Sequence, residues 1–249
     1  LEAGASIVEI GNQNQTLPDE LENAISTQTI AVFWFQGAMN QPSELSLDQV
    51  IKICRPKNIP VIVDAAAQLP PASNFWNFTH QGADLAIFSG GKDLSGPQAS
   101  GLILGSKELI EIISGLGAPH HGIGRPMKVG KEEMMGLLAA VERYLSLDHE
   151  QLFETYEARV TYWINELDGL KGLNAIRNYP NEAGQPVART KVLLPESQNK
   201  DNVIQDLLQG EPMISVAPSE TENALLLNPM TVKDGEPSII KERILEVMG

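Results

Sequence analysis

Cysteine is almost missing from this chain. Cys54 stands alone among 249 residues, so no intrachain disulfide can form and a cysteine-based metal site is excluded. That usage fits a reducing compartment. There are four histidines without ligand spacing, so no metal site is expected. Aromatics make up only 5%, too few for a platform that stacks single-stranded nucleic acid. Positive charge is also short. Lys and Arg total 18 against 32 acids, a formal net charge of -14. A partner held by bulk electrostatics, whether nucleic acid or anionic membrane, needs a basic face that this composition does not supply, although a local basic pocket remains possible. No apolar run reaches membrane-spanning length, and no signal peptide is visible, so a cytoplasmic setting is expected. In that setting the Asn-x-Thr matches at Asn14 and Asn77 are chance.

What is present is an ordinary globular composition, 42% hydrophobic and 20% charged. The length suits one large domain, or a large one with a smaller one. Short apolar runs alternate with helix signals. Residues 6–10 read as a strand. Thr16 to Glu20 read as a helix start, with a capping hydroxyl, an early proline and acids in the first turn. Ile30–Phe35 is a continuous apolar run, the pattern of a parallel strand buried on both faces. Ser46 and Gln49 form a capping box for a helix carrying Val50, Ile51 and Cys54. Val61–Val63, Leu85–Phe88 and Leu102–Leu104 read as strands. This alternation predicts an α/β fold with a mainly parallel sheet. Long amphipathic helices are expected over 131–145 and 152–167, with a domain boundary near residue 147. Beyond it, strands at 191–194, 213–216 and 224–227 and helices at 202–208 and 238–247 predict a smaller α+β unit. The expected domains are therefore 1–147 and 148–249. Leu1 is not a methionine and the run at Ile7 has no lead-in, so an N-terminal portion of the large domain is expected to be missing here.

In parallel α/β sheets functional groups gather past the carboxyl ends of strands. Two features stand there: Asp64, and the turn Ser89-Gly90-Gly91-Lys92. The turn is not a P-loop, because Asp93 stands where Ser or Thr is required. It matches the Ser-x-x-Lys acylation motif, but Ser-Asp-Asn and Lys-Thr-Gly are absent. A Schiff-base lysine is the third reading. Pyridoxal phosphate needs a lysine for its aldehyde, an acid at its pyridine nitrogen and donors for its phosphate. Lys92, Asp64 and Ser89 supply those groups, and glycines permit close backbone approach to a phosphate. Taken singly, a strand-terminal Asp is more often a turn residue and a turn Lys is more often simply solvated.

Residues 89–105, SGGKDLSGPQASGLILG, resemble the lysine segment of the pyridoxal-phosphate-dependent selenocysteine synthase and D-glucosaminate-6-phosphate ammonia-lyase-like family. Residues 61–71, VIVDAAAQLPP, resemble its aspartate segment, and residues 122–138, GIGRPMKVGKEEMMGLL, a segment downstream. The resemblance implies the aspartate-aminotransferase fold, pyridoxal-phosphate fold type I, with a smaller C-terminal α+β domain. It implies that Lys92 holds the cofactor and moves the proton, that Asp64 pairs with the ring nitrogen, and that Ala66 lies against the ring. Ser89 would contact the phosphate, and Gln68 the ring hydroxyl or substrate. Gln98 would approach the cofactor of a neighbouring subunit in a homodimer or higher homo-oligomer. Arg125 and Lys128 are the candidates for an anionic substrate group, against a reading as surface charges; His120 and His121 read as bystanders. The implied activity is that of a lyase or β-elimination or β-replacement enzyme on an amino acid or amino-sugar acid. The alternatives are a selenocysteine synthase-like transferase, disfavoured by the acidic charge, and a non-catalytic relative of the same fold.

Overall fold

The computed structural model describes residues 4–12, 15–35 and 45–249. Two compact units result. One comprises residues 1–147 with Glu182–Gln185, the other Asp148–Asn181 with Pro186–Gly249. The four residues 182–185, taken from the sequence as part of 148–249, thus pack with the first unit.

In the first unit the elements run α1 (Pro18–Ala24), β1 (Val32–Phe35), α2 (Leu47–Cys54), β2 (Val61–Asp64), α3 (Asn74–Gln81), β3 (Leu85–Ser89), β4 (Gly101–Gly105), α4 (Lys107–Leu116) and α5 (Lys131–Ser146). The sheet has the order β1-β2-β3-β4. Strands β1, β2 and β3 are parallel, and β4 runs antiparallel to β3. This is the mainly parallel α/β sheet the alternation predicts. Its core comprises Val50, Ile51 and Cys54 of α2, Val61 and Val63 of β2, Phe75 and Phe78 of α3, Ala86 and Phe88 of β3, and Tyr144 of α5. Each Val, Ile or Phe side chain among these contributes roughly 1.5–3 kcal/mol when buried.

Several local expectations need correction. Residues 6–10 form no strand; Ile7 is 73% and Val8 71% exposed, and Ile10 packs against the core without joining the sheet. Helix α1 is capped by Leu17 rather than by the Thr16 hydroxyl, and the Leu17 amide donates to Glu20 Oε2 at 2.7 Å. Strand β1 is not buried on both faces. Phe33 is 57% and Phe35 65% exposed on one face, while Val32 and Trp34 on the other pack against the core. Among the described residues β4 is an edge, with Leu102 and Leu104 half-buried and Ile103 exposed. Helix α3 carries no sequence signal in the pattern above, yet forms by burying Phe75 and Phe78 one turn apart and ending at Gly82 (φ 114°).

The second unit contains α6 (His149–Leu167), β5 (Asn174–Asn178), β6 (Arg189–Leu193), α7 (Lys200–Gln209), β7 (Ala217–Pro218), β8 (Ala224–Leu227) and α8 (Glu236–Val247). An antiparallel sheet of order β5-β6-β8-β7 packs its core with Trp163, Leu167, Val192, Leu207, Leu225, Leu227 and Ile244. The strand expected at 213–216 is displaced to Ala217–Pro218, which pairs with Leu226 and Leu225. Among the described residues no helix is long and apolar enough to cross a membrane.

Candidate active site

The β2 and β3 strands carry the two chemistry-bearing ends. Asp64 terminates β2 in register with Ile87 of β3. The Ala65 amide donates to the Ile87 carbonyl at 2.9 Å, so pairing continues past the aspartate. One carboxylate oxygen of Asp64 accepts the Ala66 amide at 3.0 Å, which folds the following loop back onto the strand end. Ala66 is half-buried on that loop. Gln68 is only 3% exposed, and its Nε2 donates to the Ala183 carbonyl at 2.8 Å. Its amide nitrogen therefore points into protein backbone. Gln185 Nε2 answers by donating to the Leu69 carbonyl, and Asn74 Nδ2 donates to the Gln68 carbonyl at 2.7 Å. The 182–185 excursion thus clasps the loop that follows Asp64.

One strand over, β3 ends at Ser89, opposite Gly101 of β4. The turn beyond it closes through backbone bonds: Gly90 N to Ser100 O at 2.9 Å, Ser95 N to Lys92 O at 2.8 Å, and Gly96 N to Gly90 O at 2.8 Å. Ser95 takes a left-handed conformation, φ 56°. Ser89 is half-buried and Lys92 exposed. The Lys92 side chain makes no hydrogen bond or ion pair among the described residues. Its backbone is held while its amine is left available.

The glycines on this turn have a cause that the sequence hid. A methyl on Gly90 would run into Ser100 Oγ and stand 2.9 Å from Leu137 Cδ1. One on Gly91 would stand 2.7 Å from the Cα of Gln98. Close packing of the chain against itself calls for glycine at both positions, whether or not a phosphate also approaches them. Gln98 is exposed, and its Nε2 donates to the Gly91 carbonyl at 3.0 Å, so it lies on the Lys92 turn.

Arg125 and Lys128 sit elsewhere, on and just after a 3-10 turn, Arg125–Met127, between α4 and α5. That connector is held by a parallel bridge between Gly117 and Gly124 and by the Arg125 amide donating to Gly122 O at 3.1 Å. Arg125 is half-buried, with its Nε buried and without a partner among the described residues. Lys128 is exposed, like His120 and His121. No hydrogen bond or ion pair among the described residues joins Arg125 or Lys128 to the Lys92 turn. No cluster of three His, Cys, Asp or Glu side chains suited to a metal occurs among the described residues.

Two residues near the turn escaped the sequence reading. Tyr144 Oη donates to Asp93 Oδ2 at 2.6 Å, directly beside Lys92 in the chain. In the sequence Asp93 stands out only as the residue that breaks the P-loop pattern, and Tyr144 falls unremarked in the helix expected over 131–145.

A family model described as SelA: L-seryl-tRNA selenium transferase matches residues 1–158. The chain is 32% identical to the D-glucosaminate-6-phosphate ammonia lyase of Salmonella typhimurium, a match covering 98% of this chain and 64% of that protein. It is 30% identical to the 5'-C-glycyluridine monooxygenase-decarboxylase of a Streptomyces species, covering 96% of this chain and 59% of that one. It therefore spans less than two thirds of the length of either relative. Among solved structures, a D-glucosaminate-6-phosphate ammonia-lyase superposes with a TM-score of 0.77 at 31% identity, over 98% of this chain and 64% of that one. An alanine–glyoxylate aminotransferase from Nostoc superposes with a TM-score of 0.60 at 15% identity, over 95% and 67%. The fold is that of the aspartate-aminotransferase group, pyridoxal-phosphate fold type I.

Proposed function

Because the chain belongs to the SelA, L-seryl-tRNA selenium transferase, family, we propose that it works with pyridoxal 5'-phosphate as a lyase or a β-elimination or β-replacement enzyme. Its substrate is a small anionic amino acid or amino-sugar acid. One observation carries this reading: the Lys92 amine, unpartnered among the described residues, follows the carboxyl end of β3, and Asp64 ends the neighbouring parallel strand. The donor set fits the cofactor, with an amine for its aldehyde, a carboxylate for its pyridine nitrogen and the Ser89 hydroxyl for its phosphate. When bound, pyridoxal phosphate supplies an electron sink for charge developing on the substrate carbon that bears the amine.

The chain's own residues do the rest. Lys92 would hold the cofactor through its amine and, once free of it, would take the proton from the substrate carbon. Asp64 would hold the pyridine nitrogen with its carboxylate. Ala66 presents a small apolar surface that a flat ring can approach. Arg125, with a planar guanidinium, and Lys128, with a point charge, hold the anionic group of the substrate. Similarity to a D-glucosaminate-6-phosphate ammonia lyase supports elimination. The net charge of -14 supports a small substrate over a tRNA. The working form is a homodimer or higher homo-oligomer, in which Gln98 approaches the neighbouring subunit's cofactor.

The test is a visible spectrum of the full chain with pyridoxal phosphate, taken before and after borohydride, followed by peptide mass mapping. A coloured protein with the label fixed on Lys92 is expected. Lys92→Ala should fold, as judged by circular dichroism, and carry no fixed label. A colourless wild type, or a label fixed elsewhere, sinks the proposal and leaves a non-catalytic relative of the fold.

A further inference from the structure

The Lys92 turn lies on one face of α5. Gly136, Leu137, Ala140, Arg143 and Tyr144 recur at the spacing that brings helix positions to the same side. Each meets a different part of the turn. Gly136 is packed so closely that a methyl there would stand 2.7 Å from Pro97 Cγ. Leu137 faces Gly90, and the Ala140 methyl faces Gly96. Arg143 Nη2 donates to the Leu94 carbonyl at 3.3 Å. Tyr144 Oη donates to the Asp93 carboxylate at 2.6 Å. Tyr144 is itself 1% exposed, with its ring edge-on to Phe75 at 6.0 Å, and Phe75 packs on Phe88 of β3 at 5.2 Å. Leu94 is fully buried. The two residues after Lys92 are thus fastened to the core, one by a charge-assisted hydrogen bond and one by burial. The lysine stands exposed just before them.

We propose that Tyr144 is the positioning residue for Lys92: through Asp93 it fixes where the lysine leaves the backbone, and so where the amine meets the aldehyde. This rests on the cofactor reading given above. Truncating the tyrosine hydroxyl leaves the ring packing intact and removes one bond from a carboxylate next to the reacting amine. The Ser95 amide, which donates to the Lys92 carbonyl, and the Gly96 amide, which donates to Gly90, report on the turn without any cofactor present.

The experiment compares hydrogen exchange and borohydride fixation of pyridoxal phosphate in wild type and Tyr144→Phe. Exchange at Ser95 and Gly96 should rise at least tenfold in the variant, with the amides of β2 and β3 unchanged. Fixation on Lys92 should slow several-fold at saturating pyridoxal phosphate. Should Tyr144→Phe fail to fold, Asp93→Ala breaks the same bond from its less buried side and carries the same expectation. Asp93→Asn, which keeps an acceptor but loses its charge, should exchange faster than wild type and slower than Asp93→Ala. Unchanged exchange at Ser95 and Gly96, or an equal rise across the first unit, overturns the anchor and leaves Tyr144 a core residue. Wild-type label fixed away from Lys92 overturns the cofactor reading and the positioning role with it, whatever the exchange data give.

Discussion

Gly91 and Gly115 separate two meanings of the same residue. At Gly91 a methyl group would meet the Cα of Gln98 at 2.7 Å, a backbone atom that cannot swing aside. Gly91→Ala should therefore destabilise the protein by about 1–3 kcal/mol, the usual range for overpacking. Trimming Gln98 to Ala should not rescue it, because the obstructing atom stays. Gly115 lies in α4 with nothing within 4 Å of a built methyl. Gly115→Ala should instead stabilise by up to about 1 kcal/mol, from helix propensity alone. Urea midpoints of the two variants check both signs; a Gly91→Ala chain as stable as wild type would show that the turn is not closed as described. At this scale the places of Asp64, at the end of one apolar run, and of Lys92, on the turn after another, were legible from the runs themselves. The reason for the glycines was not. It depends on Ser100, Gln98 and Leu137, which a sequence places seven to 47 residues away.

Elements were legible where their signals are local. The Ser46 and Gln49 pair reads as a capping box, and the bonds exist: Ser46 N donates to Gln49 Oε1 at 2.9 Å, and Gln49 N donates to Ser46 Oγ at 3.3 Å. Ser46→Ala should cost about 1 kcal/mol. Ser46→Asp should cost little, since its carboxylate accepts the same bond and favours the helix N-terminus. Equal losses in both variants, read from thermal melts, would deny the cap its role. Elements were misread where long-range partners decide. An apolar run such as Ile30–Phe35 looks buried on both faces whether its strand is central or at an edge, and Phe33 and Phe35 prove exposed. Helix α3 was missed because its two buried rings, Phe75 and Phe78, gain their value from Phe88 on a later strand. Helix α5 was legible as an amphipathic helix, but its sequence alone does not say that its buried face meets the Lys92 turn.

At the largest scale, unfolding of the first unit links a single buried thiol to pH. Cys54 is fully buried in α2, and burial pushes its pKa above the ordinary 9.0; nearby Asp84 pushes in the same direction and Lys57 opposes it. The unfolded chain releases this proton near pH 9, while the folded chain keeps it to higher pH. Between those limits the unfolded state binds fewer protons, so stability falls as pH rises. The stabilising contribution is fully present below pH 9 and is lost above it, by at most about 1.4 kcal/mol for each pH unit. Lysines and tyrosines also titrate in this range, and a chain with a net charge of -14 already repels itself. The Cys54→Ala chain isolates the thiol. Its stability at pH 7.5 should be lower, from the small cavity left behind, but its decline from pH 9 to 10.5 should be shallower than that of wild type. Parallel declines in the two chains, followed by urea unfolding, would assign the alkaline loss to other groups and leave the buried thiol without a part in it.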